Sequence, residues 1–557
     1  MTLPLELFVL PFFAFLCYWP AINGPFLFDD RDAILHNEYV TGGQCRKVAR
    51  SLWRGLTLWT YALQCIWPKT SRSFHIGNIL LHSANGGIFQ RIVLALGFDV
   101  VTADRGAILY IVLPFAANAV SYITGRAAIL SGTFGLLGVW AILAGYPALA
   151  LIALMWAIYA KEDGVGYAAT FAAVMAWSGQ WIWLLSLLGV LPYLWTKRDQ
   201  ILSLIRNDGH RNMIRGGLPG NMPQPDHAFT VLVETVLAFP NWIIGLGQSP
   251  YHGSGIKIPQ IGRMVRSSML LFVASILFHV VPDFRLPLIL LTIGPWMLYV
   301  VIPSPDQLIE YRYYGSTAGA ALLLTVLLAP ANAFVWAGVI GYYASNTAWQ
   351  SHAWNSGVNF WTAAIYRGRG EKSRAWQELG AEYKNAGKKA EAEVAFRRAI
   401  EMNPRLAPAM RNLSWMWVEQ GKPAEALAQM KTCVEQCPEH PSAWEEYGYM
   451  LEMQHQPGEA EAAYRTAIAL GEASPGPFMD IAIPRLGMLL FARQAYDEAA
   501  AIFARRVSTI EERWNLGWSL RLAGKIEEAR EVMKGMPPEV QMKDNMVMPQ
   551  QLQQVQA

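Results

Sequence analysis

The chain of 557 residues is 53% hydrophobic and only 16% charged, with 22 Trp and a formal net charge of +3, whereas an ordinary soluble domain carries about 25% charged residues. That balance describes a membrane protein, and so small a net charge, with no basic helix or recognition motif, excludes a nucleic-acid-binding protein. The apolar excess runs from Met1 to about Ala348, while from Glu371 onward the text is Ala, Glu, Arg and Lys in helical rhythm, so two parts with different solvents are expected.

The opening run "LFVLPFFAFLCYWPAI" lacks a basic leader and a small-x-small cleavage site, which makes it a retained transmembrane helix rather than a signal peptide. With this run at 5–22, further apolar runs near 74–97, 105–123, 127–145, 147–160, 165–178, 181–196, 267–282, 286–303, 315–330 and 333–348 predict about eleven crossings. The 228–247 run carries Glu234 and Pro240 and reads as interfacial or re-entrant. A cytoplasmic amino terminus then puts the loop at Asp29, the "AKEDG" turn, the "EYRYYGS" loop and the carboxy-terminal part on one external side. Lys197, Arg198, Arg206, Arg211, Arg215, Lys257, Arg263 and Arg266 land there too, against the positive-inside rule. Either the topology differs there or these bases serve an anionic ligand.

"GPFLFDDRDAILHN" places Asp29 and Asp30 directly after the first greasy segment. Such a pair suits a general base with a supporting group, a metal site, or a solvated loop charge. Arg126 in "SYITGRAAILSG" and Lys161–Glu162 in "IYAKEDGVG" stand where helices meet the external face, as functional groups or as snorkelling helix ends. In "DQLIEYRYYGSTAG", Arg312 offers a planar fork suited to phosphate beside the Tyr313 hydroxyl, although the same cluster suits an aromatic belt. The five cysteines show no metal-ligand spacing; Cys45 and Cys65 share a loop and can pair in an oxidising compartment, while Cys433 and Cys437 read as packing residues of one helix.

Trp376, Met410 and Trp444 recur at a spacing of 34, as do Ala392, Ala426 and Ala460, which is the tetratricopeptide period. In the first copy Gly380 and Ala392 let paired helices approach, and Tyr383 and Phe396 fill the space between pairs. Looser copies around Tyr447–Gly448, Leu486–Gly487 and Leu516–Gly517 give about five repeats to roughly Pro537, and the tail "MVMPQQLQQVQA" reads as disordered. Such a solenoid binds extended peptide in its groove or scaffolds other subunits. The expected fold is therefore all-α: a polytopic transmembrane domain at 1–350, a linker at 351–372, repeats at 373–538 and a disordered tail at 539–557.

Taken in order, "PFLFDDRDAILHN", "RGLTLWTYAL", "SFHIGNILLHSANG", "AVSYITGRAAILSG", "AKEDGVG", "EYRYYGSTAGAALLL" and "FWTAAIYR" resemble the transmembrane and tetratricopeptide-containing O-mannosyltransferases and their bacterial relatives, of the C-type glycosyltransferase superfold. The resemblance implies an inverting transfer of a sugar from a polyprenyl-phosphate donor to a protein Ser or Thr hydroxyl. It makes Asp29 the general base and Asp30 its orienting neighbour, and puts Arg312, Lys161, Arg126, Arg54 and Tyr313 at the donor phosphate with Glu162 and Glu310 supporting them. No metal and no cofactor beyond the lipid-linked sugar are expected. The expected partners are membrane lipid and an acceptor protein or complex subunit, and the expected location is a bacterial inner membrane with the repeats in the periplasm. The chain departs from the family pattern at Arg54–Gly55, where the family writes Arg-Pro, and at "LPFAANAV", where it writes a His-Pro block. The lost block favours the alternative of a non-catalytic scaffold subunit.

Overall fold

A computed structural model of the chain describes residues 8–49, 54–66, 69–183, 314–368, 372–472, 476–507 and 509–534. The crossings expected at 267–282 and 286–303, most of that at 181–196, the 228–247 run and the 539–557 tail lie outside these residues. Every regular element among the described residues is helical, and the chain divides into two compact units, Met1–Ala375 and Trp376–Ala557.

The longer helices of the first unit are α1 (Leu10–Tyr18), α2 (Gly55–Gln64), α3 (Ser71–Ala95), α4 (Val100–Val112), α5 (Arg126–Leu143), α6 (Pro147–Ala160), α7 (Gly166–Trp177), α8 (Thr317–Leu328), α9 (Ala333–Ser351) and α10 (Gly357–Arg367). Their starts are written locally. Thr70 caps α3 by accepting from the Ser73 N–H, Asp99 caps α4 through the Thr102 N–H and hydroxyl, and Pro147 opens α6, where a missing N–H costs nothing. Phe89, Tyr110, Ile129, Phe171, Leu322 and Trp336 centre one apolar core. Glycines bring α5 and α7 together, because a Cβ on Gly135 or Gly138 would overlap the rings of Tyr167 and Phe171. The stretch expected as a linker contains α10, which buries Phe360, Trp361 and Ile365.

The count of about eleven crossings is corrected by the helix lengths. Among the described residues two helical runs, Val100–Ser121 and Arg126–Leu143, are long and apolar enough to cross a membrane. Leu10–Ala21, Pro147–Ala160, Gly166–Trp177 and Tyr314–Leu328 are apolar but shorter. The 14 residues of α6 rise about 21 Å, against a hydrocarbon thickness of about 30 Å. Length is not what α3 lacks, since it has 25 residues, but it carries His75, Asn78, His82, Asn85 and Gln90. The second half of α9 carries Ser345, Asn346 and Gln350.

From Ser373 onward, ten helices among the described residues form five pairs: α11 (Ser373–Asn385) with α12 (Lys389–Met402), α13 (Ala407–Glu419) with α14 (Pro423–Gln436), α15 (Pro441–Met453) with α16 (Pro457–Gly471), α17 (Met479–Ala492) with α18 (Tyr496–Phe503), and α19 (Ile510–Leu522) with α20 (Ile526–Met533). One device repeats through the pairs: a glycine on the first helix receives an aromatic ring from the second, Gly380 with Phe396, Gly448 with Tyr464 and Gly487 with Phe503. Ion pairs link positions one repeat apart, Arg405 to Glu439 at 2.9 Å and Arg505 to Glu472 at 2.7 Å. These pairs are exposed and each contributes under about 1 kcal/mol, so the glycine–ring contacts matter more. Gly487→Ala drives a Cβ into the Phe503 ring, and a loss of about 1–3 kcal/mol is expected. Hydrogen exchange in the full chain should show α17 and α18 losing protection, whereas Gly458→Ala, where the Cβ meets open space, should leave it unchanged.

Candidate functional site

The Asp29–Asp30 pair divides its labour. Asp30 is 1% exposed; its Oδ2 accepts the Leu27 N–H and its Oδ1 the Thr124 N–H, both at 2.9 Å. It therefore closes its own turn and fastens the first loop to the segment before α5. Burial pushes its carboxyl up to about 7, the two N–H donors oppose that shift, and the charge of Asp29 adds to it. Asp29 is exposed, and its backbone N–H donates to the Tyr122 hydroxyl at 3.3 Å. Between the buried turn and Asp29 stands Phe28 at φ 49°, a left-handed conformation that a bulky residue adopts at a cost of order 1 kcal/mol. Its ring packs on Phe360 at 4.8 Å, Trp361 at 5.5 Å and Tyr122 at 6.3 Å, contacts that offset the strain and fix where Asp29 emerges.

The segment Ser121–Arg126 is the hub of this region. The Tyr61 hydroxyl donates to the Ile123 carbonyl at 3.1 Å, and the Asn78 amide donates to the carbonyls of Tyr122 at 2.9 Å and Ile123 at 3.2 Å. Arg126, 2% exposed, spends its Nε on the Asn78 side-chain oxygen at 2.8 Å and its Nη2 on the Phe74 carbonyl at 2.9 Å. Its guanidinium lies 4.8 Å from the Tyr61 ring centre and 5.5 Å from that of Phe74. Of the cations expected at a donor phosphate, this one holds the loop region together.

Lys161 is buried where α6 ends, in an extended conformation that breaks the helix. The Thr57 hydroxyl donates to the neighbouring Ala160 carbonyl at 2.9 Å, and Gly55 lies under Tyr159, where a Cβ would overlap the ring. These contacts dock the start of α2 on the end of α6, so half-buried Arg54, at φ 51°, precedes a helix fixed beside Lys161. Of Glu162 the backbone alone is described, in the short turn Glu162–Val165. Arg312, Tyr313 and Glu310 lie outside the described residues.

Tyr314 follows them, and its hydroxyl meets His82 Nδ1 at 2.8 Å, the Asn85 amide at 2.9 Å and the Tyr110 hydroxyl at 3.2 Å. Sequence reasoning missed this cluster, although a His and an Asn three apart on an otherwise apolar helix were its visible signal. In the altered "LPFAANAV" block, Asn118 accepts the Trp354 indole N–H at 2.9 Å. Cys45 and Cys65 share an apolar cluster as free thiols. No group of three metal-ligating side chains stands together among the described residues.

Comparison with known proteins places the second unit. Family models described as tetratricopeptide repeat match residues 373–406 and 418–476. The carboxy-terminal part is a tetratricopeptide-repeat array, the class of helical solenoid that serves contact between proteins. Solved structures similar to the chain include the MamA protein, 21% identical over 30% of this chain and 90% of that one, with a TM-score of 0.26. YrrB, described as a TPR protein with an unusual peptide-binding site, is 20% identical over 31% of this chain and 88% of its own, with a TM-score of 0.26. Yeast Tom70 is 12% identical over 82% of this chain and 91% of its own, again with a TM-score of 0.26. No curated protein matches the chain.

Proposed function

We propose that the protein is an integral-membrane glycosyltransferase that moves a sugar from a polyprenyl-phosphate donor to a Ser or Thr hydroxyl of a protein held by the repeats. The observation that carries this reading is the division within the carboxylate pair: Asp30 is buried and bound by two backbone N–H groups, while Asp29 is presented outward on an aromatic support. In the proposed step Asp29 takes the proton of the acceptor hydroxyl as that oxygen bonds to the anomeric carbon. The anomeric carbon–oxygen bond to the lipid phosphate breaks with its electron pair going to the phosphate, and the configuration inverts. Lys161 and Arg54, which follow and precede the docked ends of α6 and α2, and Arg312 are the cations proposed for the leaving phosphate. The membrane location and the periplasmic placement of the repeats belong to the same proposal.

The test is mass-spectrometric glycoproteomics of exported proteins in cells with the wild-type chain, Asp29→Asn, or no copy. Loss of a general base is expected to lower transfer by about 100- to 10,000-fold, so one glycan should vanish alike in both altered strains. An unchanged glycoproteome would overturn the reading. The scaffold alternative draws support from the "LPFAANAV" block, whose Asn118 is buried in a hydrogen bond with Trp354; fixed co-purification with other membrane subunits would then accompany the unchanged glycoproteome.

A further inference from the structure

On three successive first helices of the repeats, side chains four and seven positions apart share one face: Arg411 and Trp415 on α13, Glu445, Tyr449 and Glu452 on α15, with Arg485 on α17 reaching the same row. Trp415 and Tyr449 lie 5.5 Å apart in a tilted pair, and the Arg485 guanidinium sits 4.1 Å over the Tyr449 ring. Two ion pairs frame these rings, Arg411 with Glu446 and Arg485 with Glu452 at 2.9 Å. Two guanidiniums thus meet three carboxylates, and the remainder is Glu445.

Glu445 is 6% exposed and makes no hydrogen bond or ion pair among the described residues. A buried carboxylate without a partner is costly and rare in a finished structure. Beside it Arg411 Nε and Glu446 Oε2, the remaining atoms of the Arg411–Glu446 ion pair, are sealed from solvent. An extended peptide can carry what this row lacks, a side-chain cation for the Glu445 carboxylate. The flanking rings add a surface on which an ammonium or guanidinium stem packs.

We propose that this row is a binding subsite for a Lys or Arg side chain of an extended partner segment, with the cation seated on Glu445 beside the Trp415–Tyr449 pair. The inference rests on reading the repeats as the binder of an extended segment, and adds that the segment is basic at one position. In the free protein burial pushes the Glu445 carboxyl up to about 7, Glu446 on the same helix adding to the shift and Arg411 and Arg485 on the neighbouring helices opposing it. An arriving cation favours the ionised form, so affinity should rise as pH passes upward through about 7.

The experiment selects phage-displayed random ten-residue peptides on the full-length chain in detergent, then measures affinities by fluorescence anisotropy. The wild type is expected to fix Lys or Arg at one position, and replacing that residue by Met in the peptide should weaken binding about tenfold. Glu445→Gln, nearly isosteric, should bind the original peptide about tenfold more weakly, be indifferent to the Met replacement, and lose the pH dependence. Selected peptides with no fixed basic residue, or equal affinity for wild type and Glu445→Gln, would overturn the subsite while leaving a peptide groove in place. Selection of no peptide at all would overturn both.

Discussion

Asp30→Asn is expected to loosen the whole first loop, although it changes one oxygen to one nitrogen. Each carboxylate oxygen of Asp30 accepts a separate backbone N–H, from Leu27 and from Thr124. An amide has one accepting oxygen, so whichever way Asn turns, its NH2 faces an N–H donor and one buried donor is orphaned. That costs about 1–3 kcal/mol. Above pH 7, where Asp30 is ionised, hydrogen exchange of the full chain in detergent should show residues 24–37 and Thr124 losing protection together. The same protection in wild type and variant would sink this account. Asp29→Asn, on an exposed side chain, should leave exchange unchanged, which separates the buried carboxylate from the exposed one within a single dipeptide.

The pH dependence carries a sign. The folded pKa of Asp30 is raised from 3.8 to about 7, so the folded state holds the proton more tightly than the unfolded chain does. The contribution of this group to stability is fully present below about 3.8 and is lost as pH rises to about 7. Asp30→Asn removes that slope, and thermal unfolding across this pH range measures it.

The repeats were legible because their determinants are local: the glycine and the ring it receives lie sixteen residues apart in one hairpin, as with Gly380 and Phe396. The carboxylate pair was legible as a pair, but not which member turns inward, since that depends on the left-handed turn at Phe28 and on aromatic residues of α10 far along the chain. Position alone read Arg126 as a functional group or a snorkelling helix end, and the family resemblance put it at the donor phosphate. Its actual partners, Asn78 and Phe74, stand 48 and 52 residues earlier and come to it only in the fold. The span count overshot for a related reason. Apolar runs such as 147–160 and 165–178 were counted for their composition, whereas the helices Pro147–Ala160 and Gly166–Trp177 that they form are too short to cross.

Gly125→Ala is expected to disrupt the first unit around the candidate site. A Cβ there would overlap the Ala119 carbonyl oxygen and stand 2.9 Å from the Ala119 carbonyl carbon and the Tyr122 carbonyl oxygen. All three are backbone atoms, so no side chain can rotate away, and the turn itself must open. Overpacking of this kind costs about 3 kcal/mol or more. The turn also presents the Thr124 N–H to Asp30, the Ile123 carbonyl to Tyr61 and Asn78, and Arg126 to Phe74. Opening it therefore releases the first loop, α2 and α3 at one stroke, and size-exclusion chromatography in detergent should show little monodisperse protein. Gly338→Ala is the matched control, because its Cβ meets nothing within 4 Å on α9 and should be neutral or stabilising by up to about 1 kcal/mol. If both variants elute like wild type, the Ser121–Arg126 turn does not hold the site in the way its hydrogen bonds imply, and Asp29 must owe its position to the aromatic support alone.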